Sequence, residues 1–237
     1  MHMVLLALAL SVIPERSEIR IAVLDSGLHV KASAYRGRIV TPYDVIRQRP
    51  DPKPNHGDDH GTCVANVITS MCPTCLLMPV RMLTRSGPNR SHADAEAVRW
   101  AAEHDADVIV ASWGMNDGLG FSSALLKEVH AFLHGNGRRV ALFAAPRDAN
   151  AKAPEDARYV DVVHDTMDPT RLYTQVPKKS VCGFDALGSP MMRPFSGSSA
   201  AAAVMGGRAG KIMSLDPSVD RTGLYQRLAV VGGESNE

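Results

Sequence analysis

A serine-rich turn that runs into a helix has residue types that could do chemistry. Residues 194–207 read P-F-S-G-S-S-A-A-A-A-V-M-G-G. Ser198 or Ser199 would fill the N-cap or first position of a helix, and the alanine run is typical of a helix buried on all sides. The stretch is either a capped core helix or a helix whose first serine is a nucleophile, with backbone N–H groups directed at a developing oxyanion. A nucleophile needs a base and an orienting carboxylate elsewhere in the chain.

Asp25 and His60 are the candidates for those two groups. Asp25 ends the mostly apolar segment E-I-R-I-A-V-L, and His60 closes a Pro- and Gly-containing loop and opens a helix. Taken singly, each residue type in such a place is usually a turn or capping residue. Together with Ser199 they supply the hydroxyl, the imidazole and the carboxylate that nucleophilic acyl transfer needs. Ser112 is the last residue of another strand-like segment, and Asp148 comes just after a third.

Strand-like and helix-like segments alternate along the chain and must position these residues. The predicted strands lie at 18–24, 38–46, 76–83, 107–112, 139–145 and 159–163. The predicted helices lie at 61–71, 91–104, 122–134, 199–214 and from a cap at 216–218 to about 231, with a loop-rich segment at 165–188. This alternation predicts an α/β fold with a mostly parallel sheet, helices on both faces, and ligands bound beyond the carboxyl ends of the strands.

Composition indicates one domain with a sizeable core, since 45% of the 237 residues are hydrophobic. Lys and Arg total 26 and Asp and Glu total 25, so no charge excess favours nucleic acid or a membrane as a partner. We expect residues 1–17 to form an N-terminal apolar segment and residues 18–237 to form a single catalytic domain. The apolar run at 3–13 is too short to span a bilayer and lacks the basic start of a secretory signal. A cytoplasmic protein is therefore favoured over a secreted one.

The four cysteines give no sign of a metal site. Cys72 and Cys75 form a C-P-T-C pair, whereas Cys63 and Cys182 have no partner at a motif spacing. A zinc site needs about four ligands, and a redox C-x-x-C should open a helix, whereas this pair precedes a strand-like segment. We interpret the pair as a tight turn, with or without a disulfide, and we predict neither a metal nor a cofactor.

Three ordered motifs resemble those of the subtilisin-like serine proteases, the subtilases or peptidase S8 family. They are I-A-V-L-D-S-G at 21–27, D-H-G-T-C-V-A at 59–65 and G-S-S-A-A at 197–201. V-I-V-A-S-W-G at 108–114 is similar to the strand that lines the family's S1 pocket, and residues 143–148 occupy the place of its oxyanion-hole motif. The resemblance runs from about residue 19 to residue 211 and implies a three-layer αβα sandwich around a mostly parallel sheet.

By this resemblance the protein is a serine endopeptidase acting on peptide or protein segments in extended conformation. Asp25 would be the orienting acid, His60 the general base and then acid, and Ser199, rather than Ser198, the nucleophile. The resemblance also implies that one wall of the S1 pocket is formed by Ser112, Trp113 and Gly114. This segment would hydrogen-bond the substrate as an added strand.

Asp148 aligns with the asparagine whose side-chain amide donates to the oxyanion in this family. Loss of one such donor lowers turnover by roughly 10²–10³. Either Asp148 is protonated, or Asn150 takes its place, or the Ser199 N–H acts with little help. We therefore expect slow hydrolysis.

Other departures leave two alternatives to the protease. Cys63 stands where the family usually has a second histidine, Ala200–Ala203 stand where it has Met-Ala-Thr/Ser-Pro, and only 24 residues precede Asp25 where secreted members carry a pro-domain. The alternatives are a catalytically impaired subtilase-fold module that binds peptides, and a relative that transfers acyl groups or cyclises peptides through the same acyl-enzyme.

Overall fold

A parallel sheet forms the centre of the structure, a computed structural model that describes residues 18–55, 57–83, 90–114, 141–145, 161–164, 172–185 and 189–232. Its strands are β1 (Arg20–Asp25), β2 (Tyr43–Asp44), β3 (Leu76–Arg81), β4 (Val108–Gly114), β5 (Ala141–Ala145), β6 (Asp161–His164) and β7 (Leu172–Tyr173). They lie in the order β2-β3-β1-β4-β5-β6-β7, and each neighbouring pair is parallel. The parallel sheet predicted from the sequence is confirmed.

Helices and one hairpin surround the sheet in the described part of the chain. The helices are α1 (His60–Met71), α2 (Arg90–Glu103), α3 (Gly197–Leu215) and α4 (Arg221–Gly232). The antiparallel hairpin consists of β8 (Lys179–Phe184) and β9 (Pro190–Pro194).

The two faces of the sheet belong to separate hydrophobic clusters, because successive strand residues point to opposite faces. Ile21 and Val23 of β1 pack in a cluster that contains residues of α1, α3 and α4. Ala22 and Leu24 of the same strand pack in a cluster that contains residues of α2. Helices therefore cover both faces, as the continuous apolar pattern of β1 predicts.

Two strand predictions differ from the structure. The segment 165–188 was predicted to be loop-rich, but it contains β7 and β8. Tertiary contacts support β8: the Asn66 amide donates to the Val181 carbonyl, and the Ser180 hydroxyl donates to the Cys63 carbonyl. The predicted strand 38–46 is reduced to β2 and a bridge at Ile39, because the intervening Thr41 has a left-handed backbone conformation, with φ at 42°.

The starts of α3 and α4 also differ from the prediction. Ser196, not Ser198 or Ser199, is the N-cap of α3 and has an extended backbone. The predicted cap of α4 at 216–218 forms a turn instead, and Asp220 accepts a hydrogen bond from the Gly223 N–H at 2.7 Å. The predicted helix at 122–134 lies outside the described residues.

All four cysteines form disulfides, Cys63 with Cys182 and Cys72 with Cys75. The second bond closes the turn after α1, which was one of the two alternatives for the C-x-x-C pair. The first joins α1 to β8 across a sequence separation of 119. It was not predicted, because no local spacing signals a contact between residues so far apart.

Removing the long-range disulfide should lower stability more than removing the short one. By loop entropy, a bridge across 119 residues stabilises the fold by about 5 kcal/mol, and one across 3 residues by about 2 kcal/mol. All four cysteines are buried, so the loss of packing is similar in the two pairs. Urea unfolding of the Cys63→Ala/Cys182→Ala variant should give the lower free energy of unfolding, by about 3 kcal/mol relative to the matched Cys72→Ala/Cys75→Ala variant. Equal losses would contradict this account.

Candidate active site

The carboxyl edge of the sheet gathers the polar residues singled out in the sequence. Asp25 is the last residue of β1, and Ser112 lies in the adjacent parallel strand β4. His60 is the first residue of α1, and Ser199 is in the first turn of α3. Ligands of open α/β sheets bind at this edge.

Asp25 and His60 are in direct contact. His60 Nδ1 lies 2.9 Å from Oδ1 and 3.0 Å from Oδ2 of Asp25. Because an ionised carboxylate only accepts hydrogen bonds, the proton of the neutral imidazole is on Nδ1. Nε2 is then left with a lone pair that can take a proton.

Ser26 links the Asp25 carboxylate to the start of α1. The Ser26 N–H donates to Asp25 Oδ1 at 2.7 Å, and the Ser26 hydroxyl accepts from the Gly61 N–H and donates to the Asp58 carbonyl, both at 3.1 Å. A Cβ at Gly61 would lie 3.1 Å from Asp25 Cβ and would collide with the Gly27 carbonyl. The glycine after His60 is therefore needed for the close approach of α1 to the end of β1.

The environment of His60 favours its charged form. The negative charge of Asp25 raises the pKa of His60 above its usual value, burial lowers it, and the hydrogen bond to Asp25 and the charge of Asp58 raise it. The Phe195 ring contacts the imidazole edge-on, with centroids 5.5 Å apart. The net effect is an imidazole that binds a proton more readily than a free histidine.

Ser199 is held by a reciprocal pair of hydrogen bonds to β4. Its hydroxyl donates to the Ser112 carbonyl at 2.9 Å, and the Ser112 hydroxyl donates to the Ser199 carbonyl at 3.0 Å. A hydroxyl has one proton, so Ser199 in this rotamer does not donate to His60. The structure thus places Ser199 at the same edge as the Asp25–His60 pair, with its hydroxyl turned toward β4.

Small residues let α3 pack closely against the sheet and α1. Ala200, Ala201, Ala202 and Ala203 are fully buried. A Cβ at Gly207 would lie 2.6 Å from Met71 Cβ of α1, and a Cβ at Gly206 would collide with the Val110 side chain of β4. The alanine run therefore belongs to a buried helix, as predicted, and that helix also carries Ser199.

A second contact between a carboxylate and an imidazole, next to the first, was not predicted. His29 Nε2 lies 3.1 Å from Asp59 Oδ1, and Arg193 Nη2 lies 3.7 Å from Asp59 Oδ2. The sequence signal was an acidic residue immediately before His60. That signal does not show which residues the Asp59 side chain contacts. In the structure the side chain makes no capping hydrogen bond to α1 and contacts His29 and Arg193, which are distant in sequence.

Other predicted site residues are only partly described. Trp113 and Gly114 end β4 directly after Ser112, so their backbone lies at the same edge. Asp148 and Asn150 lie outside the described residues, and the oxyanion donor stays a prediction. Within the described ranges, no group of three His, Cys, Asp or Glu side chains is placed to hold a metal ion.

The sequence matches a sequence model of the subtilase family of peptidase S8 over residues 16–229. The chain belongs to the subtilase family. The resemblance drawn from the three motifs is therefore confirmed. A calcium-dependent protease from Nostoc sp. is 38% identical over 108 residues, 41% of this chain and 16% of its own length. Thermitase from Thermoactinomyces vulgaris is 30% identical over 112 residues, 43% of this chain and 39% of its own length.

A solved subtilase structure supports the fold assignment. A cold-adapted subtilisin-like serine proteinase superposes with a TM-score of 0.68 at 22% identity, over 88% of this chain and 80% of that one. The predicted subtilisin-like α/β sandwich is confirmed. The sequence alignments, in contrast, span less than half of the two curated relatives. Among the helices described for this subtilase, none is long and apolar enough to cross a membrane.

The Asp25→Asn substitution should lower the pKa of His60, because it removes the charge that raises this pKa most. The raised pKa also stabilises the fold at acidic pH, and that stabilisation is lost as pH rises through the pKa of His60. The variant should therefore lose this acid-side stabilisation. NMR titration of the His60 ring protons and urea unfolding at several pH values measure the two effects.

Asp59→Asn is the matched control for this titration. It removes a carboxylate one residue before His60, but that carboxylate contacts His29 and Arg193. It should move the pKa of His60 less than Asp25→Asn does. Equal shifts in the two variants would show that general charge, rather than the contact with Asp25, sets the pKa.

Proposed function

We propose that this subtilase is a serine endopeptidase that cleaves extended peptide segments through an acyl-enzyme. The observation that carries the proposal is the contact of Asp25 with His60 Nδ1 at the sheet edge where Ser199 also lies. Membership of a protease family supports the same reaction class.

In the proposed reaction His60 transfers a proton in each of two half-reactions. Nε2 takes the proton of the Ser199 hydroxyl as Oγ attacks the substrate carbonyl, and Asp25 stabilises the imidazolium that forms. The C–N bond then breaks, and His60 gives the proton to the leaving amine. Water then attacks the acyl-enzyme with His60 again as base. The bond between the acyl carbon and Ser199 Oγ breaks, His60 returns the proton to Oγ, and the carboxylic acid product leaves.

Before attack, the Ser199 hydroxyl must leave its hydrogen bond to the Ser112 carbonyl. A neutral hydrogen bond of this kind contributes about 1 kcal/mol net. The cost of breaking this hydrogen bond is small compared with the roughly 8 kcal/mol or more by which enzymes typically lower an activation barrier. The resting rotamer is therefore compatible with catalysis after rotation about the Ser199 side chain.

We propose that the acyl side of the substrate pairs with β4 at Ser112, Trp113 and Gly114. The edge-on addition of a peptide strand uses main-chain hydrogen bonds and so accepts many sequences. Asp148 is proposed to lie where the family has its oxyanion donor, and an ionised carboxylate there would oppose the developing negative charge. Slow turnover is the expected consequence.

A peptide-binding module without efficient catalysis is the second candidate. Two observations favour it: the hydrogen bond that turns the Ser199 hydroxyl toward β4, and the aspartate at position 148. Acyl transfer or peptide cyclisation shares the acyl-enzyme with hydrolysis, and the products of an incubation with a defined peptide distinguish those outcomes.

A fluorophosphonate probe should label this protein at Ser199. The serine oxygen displaces fluoride from phosphorus, a step that needs the same base and no peptide recognition. Labelling should be lost in Ser199→Ala and kept in the matched Ser198→Ala variant, as read by mass spectrometry of the intact protein. Absence of labelling in folded wild-type protein would favour the binding module.

Asp148→Asn should increase turnover. The amide restores a donor to the oxyanion, and such a donor changes kcat by roughly 10²–10³ in favourable geometry. We expect an increase of at least tenfold in kcat with little change in KM. The exposed Glu103→Gln substitution, which removes the same charge at the end of α2 on the opposite face of the sheet from α1 and α3, should leave kcat unchanged. An Asp148→Asn variant no faster than wild type would refute the donor argument.

A further inference from the structure

A cavity of about 570 Å³ opens next to the candidate active site and is used by no step of the proposed reaction. Phe184 and Pro54 contribute apolar surface to its wall. We call this cavity the basic pocket, and its defining residues are His29, Arg47, Lys53, Asp59, Met191 and Arg193.

The positive charge of Arg47 is not neutralised by its nearest carboxylate. Asp44 already forms a buried ion pair with Arg81, at 2.7 Å, and both of those side chains are at most 1% exposed. Arg47 reaches the same carboxylate oxygen only at 3.5 Å, and its side chain is 39% exposed. Asp44 therefore carries one negative charge between two guanidinium groups.

Lys53 and Arg193 add two further positive charges. Lys53 is exposed and has neither a hydrogen bond nor an ion pair with the described part of the chain. Arg193 is half exposed and shares Asp59 with His29. Asp59 is the one acidic residue among the described residues of the wall, so Arg47, Lys53 and Arg193 outnumber it and the pocket attracts anions.

The basic pocket lies on the side of the site toward which the leaving-group part of a substrate would extend. Arg47 and Lys53 follow β2, which lies on the opposite side of β1 from β4. A substrate whose acyl side pairs with β4 must leave the reacting residues in the other direction, past His60 and the Phe195 ring that contacts it.

Two residues of the pocket wall are close in sequence to the residues that such a substrate passes. Asp59 directly precedes His60, and Arg193 lies two residues before Phe195. Because an extended chain advances about 3.3 Å per residue, the pocket is within reach of the second to fourth residue after the scissile bond.

We propose that the basic pocket binds a carboxylate of the substrate on the leaving-group side of the cleaved bond. The inference rests on the proposed peptidase function for the position of the substrate, and on the structure for the charge. The carboxylate comes from an Asp or Glu side chain two to four residues after the bond, or from the C terminus of a substrate that ends there. Met191 and Phe184 contact the aliphatic part of the residue that carries it.

Cleavage of a random peptide library tests the position and the sign of the preference. Sequencing of the new N termini should show Asp and Glu enriched about fivefold at one of positions two to four after the cut, at low salt. In Lys53→Gln the enrichment should fall to about twofold. The matched Lys211→Gln variant removes the same charge from an exposed position of α3 and should keep the fivefold enrichment.

The two sources of the carboxylate give different library profiles. Enrichment of internal Asp and Glu, unchanged when the library is amidated, assigns the pocket to acidic side chains. Cuts that cluster two to four residues from the C terminus, and that disperse in an amidated library, assign it to the terminal carboxylate. A profile without either feature, or a preference that Lys53→Gln leaves intact, overturns the proposal.

Binding to the Ser199→Ala variant separates this proposal from the proposed reaction. The probes are tetrapeptide amides of alanine with one Glu at the second, third or fourth position, their Gln counterparts, and tetra-alanine both with a free C terminus and as the amide. NMR titration should give a Kd about fivefold lower for one Glu peptide, or for the free acid, than for its neutral counterpart. Arg193→Gln should remove this difference.

The peptidase proposal and the pocket proposal can therefore fail independently of each other. Equal Kd values for charged and neutral probes, in a wild-type protein that a fluorophosphonate labels, reject the pocket and keep the peptidase. A carboxylate preference in a protein that the fluorophosphonate does not label keeps the pocket and rejects the peptidase.

Discussion

The close packing of α3 is the constraint on which the site depends. Gly206 and Gly207 stand where any side chain would enter β4 or α1, and a Cβ at Gly210 would lie 2.6 Å from Ile21 Cδ1 of β1. One helix thus contacts the strand that ends at Asp25, the strand that contains Ser112 and the helix that begins at His60. Because interiors are packed at crystal-like density, these contacts leave α3 little freedom to slide, and Ser199 is fixed relative to both partners.

Two contacts between a carboxylate and an imidazole lie side by side and differ in environment. Asp25 is fully buried, accepts a backbone hydrogen bond and holds His60 Nδ1. Asp59 is more exposed and divides its oxygens between His29 and Arg193. The Asp25 carboxylate is 1% exposed and the Asp59 carboxylate 13%, so the carboxylate shielded from water is the one suited to stabilising an imidazolium during a reaction. The contact of Asp59 with His29 forms the boundary between the reacting residues and the basic pocket.

The hairpin of β8 and β9 connects the helix of His60 to the segment that leads to Ser199. The Cys63–Cys182 disulfide and the Asn66 hydrogen bond to Val181 fasten α1 to β8. The chain then returns through β9 to the ring of Phe195, which contacts His60. Residues far apart in sequence are in this way held in one rigid arrangement at the carboxyl edge of the sheet.

The parallel sheet, the buried nature of α3 and the family could be predicted from the sequence, because local periodicity and three ordered motifs around Asp25, His60 and Ser199 indicate them. Other features depend on contacts between distant parts of the chain, which local patterns do not encode. The Cys63–Cys182 bond spans a sequence separation of 119, and β8 forms because its carbonyl and hydroxyl groups bond to α1. The rotamer of Ser199 and the charge of the basic pocket depend on groups from β4, the loop after β2 and β9, which only the folded chain brings together.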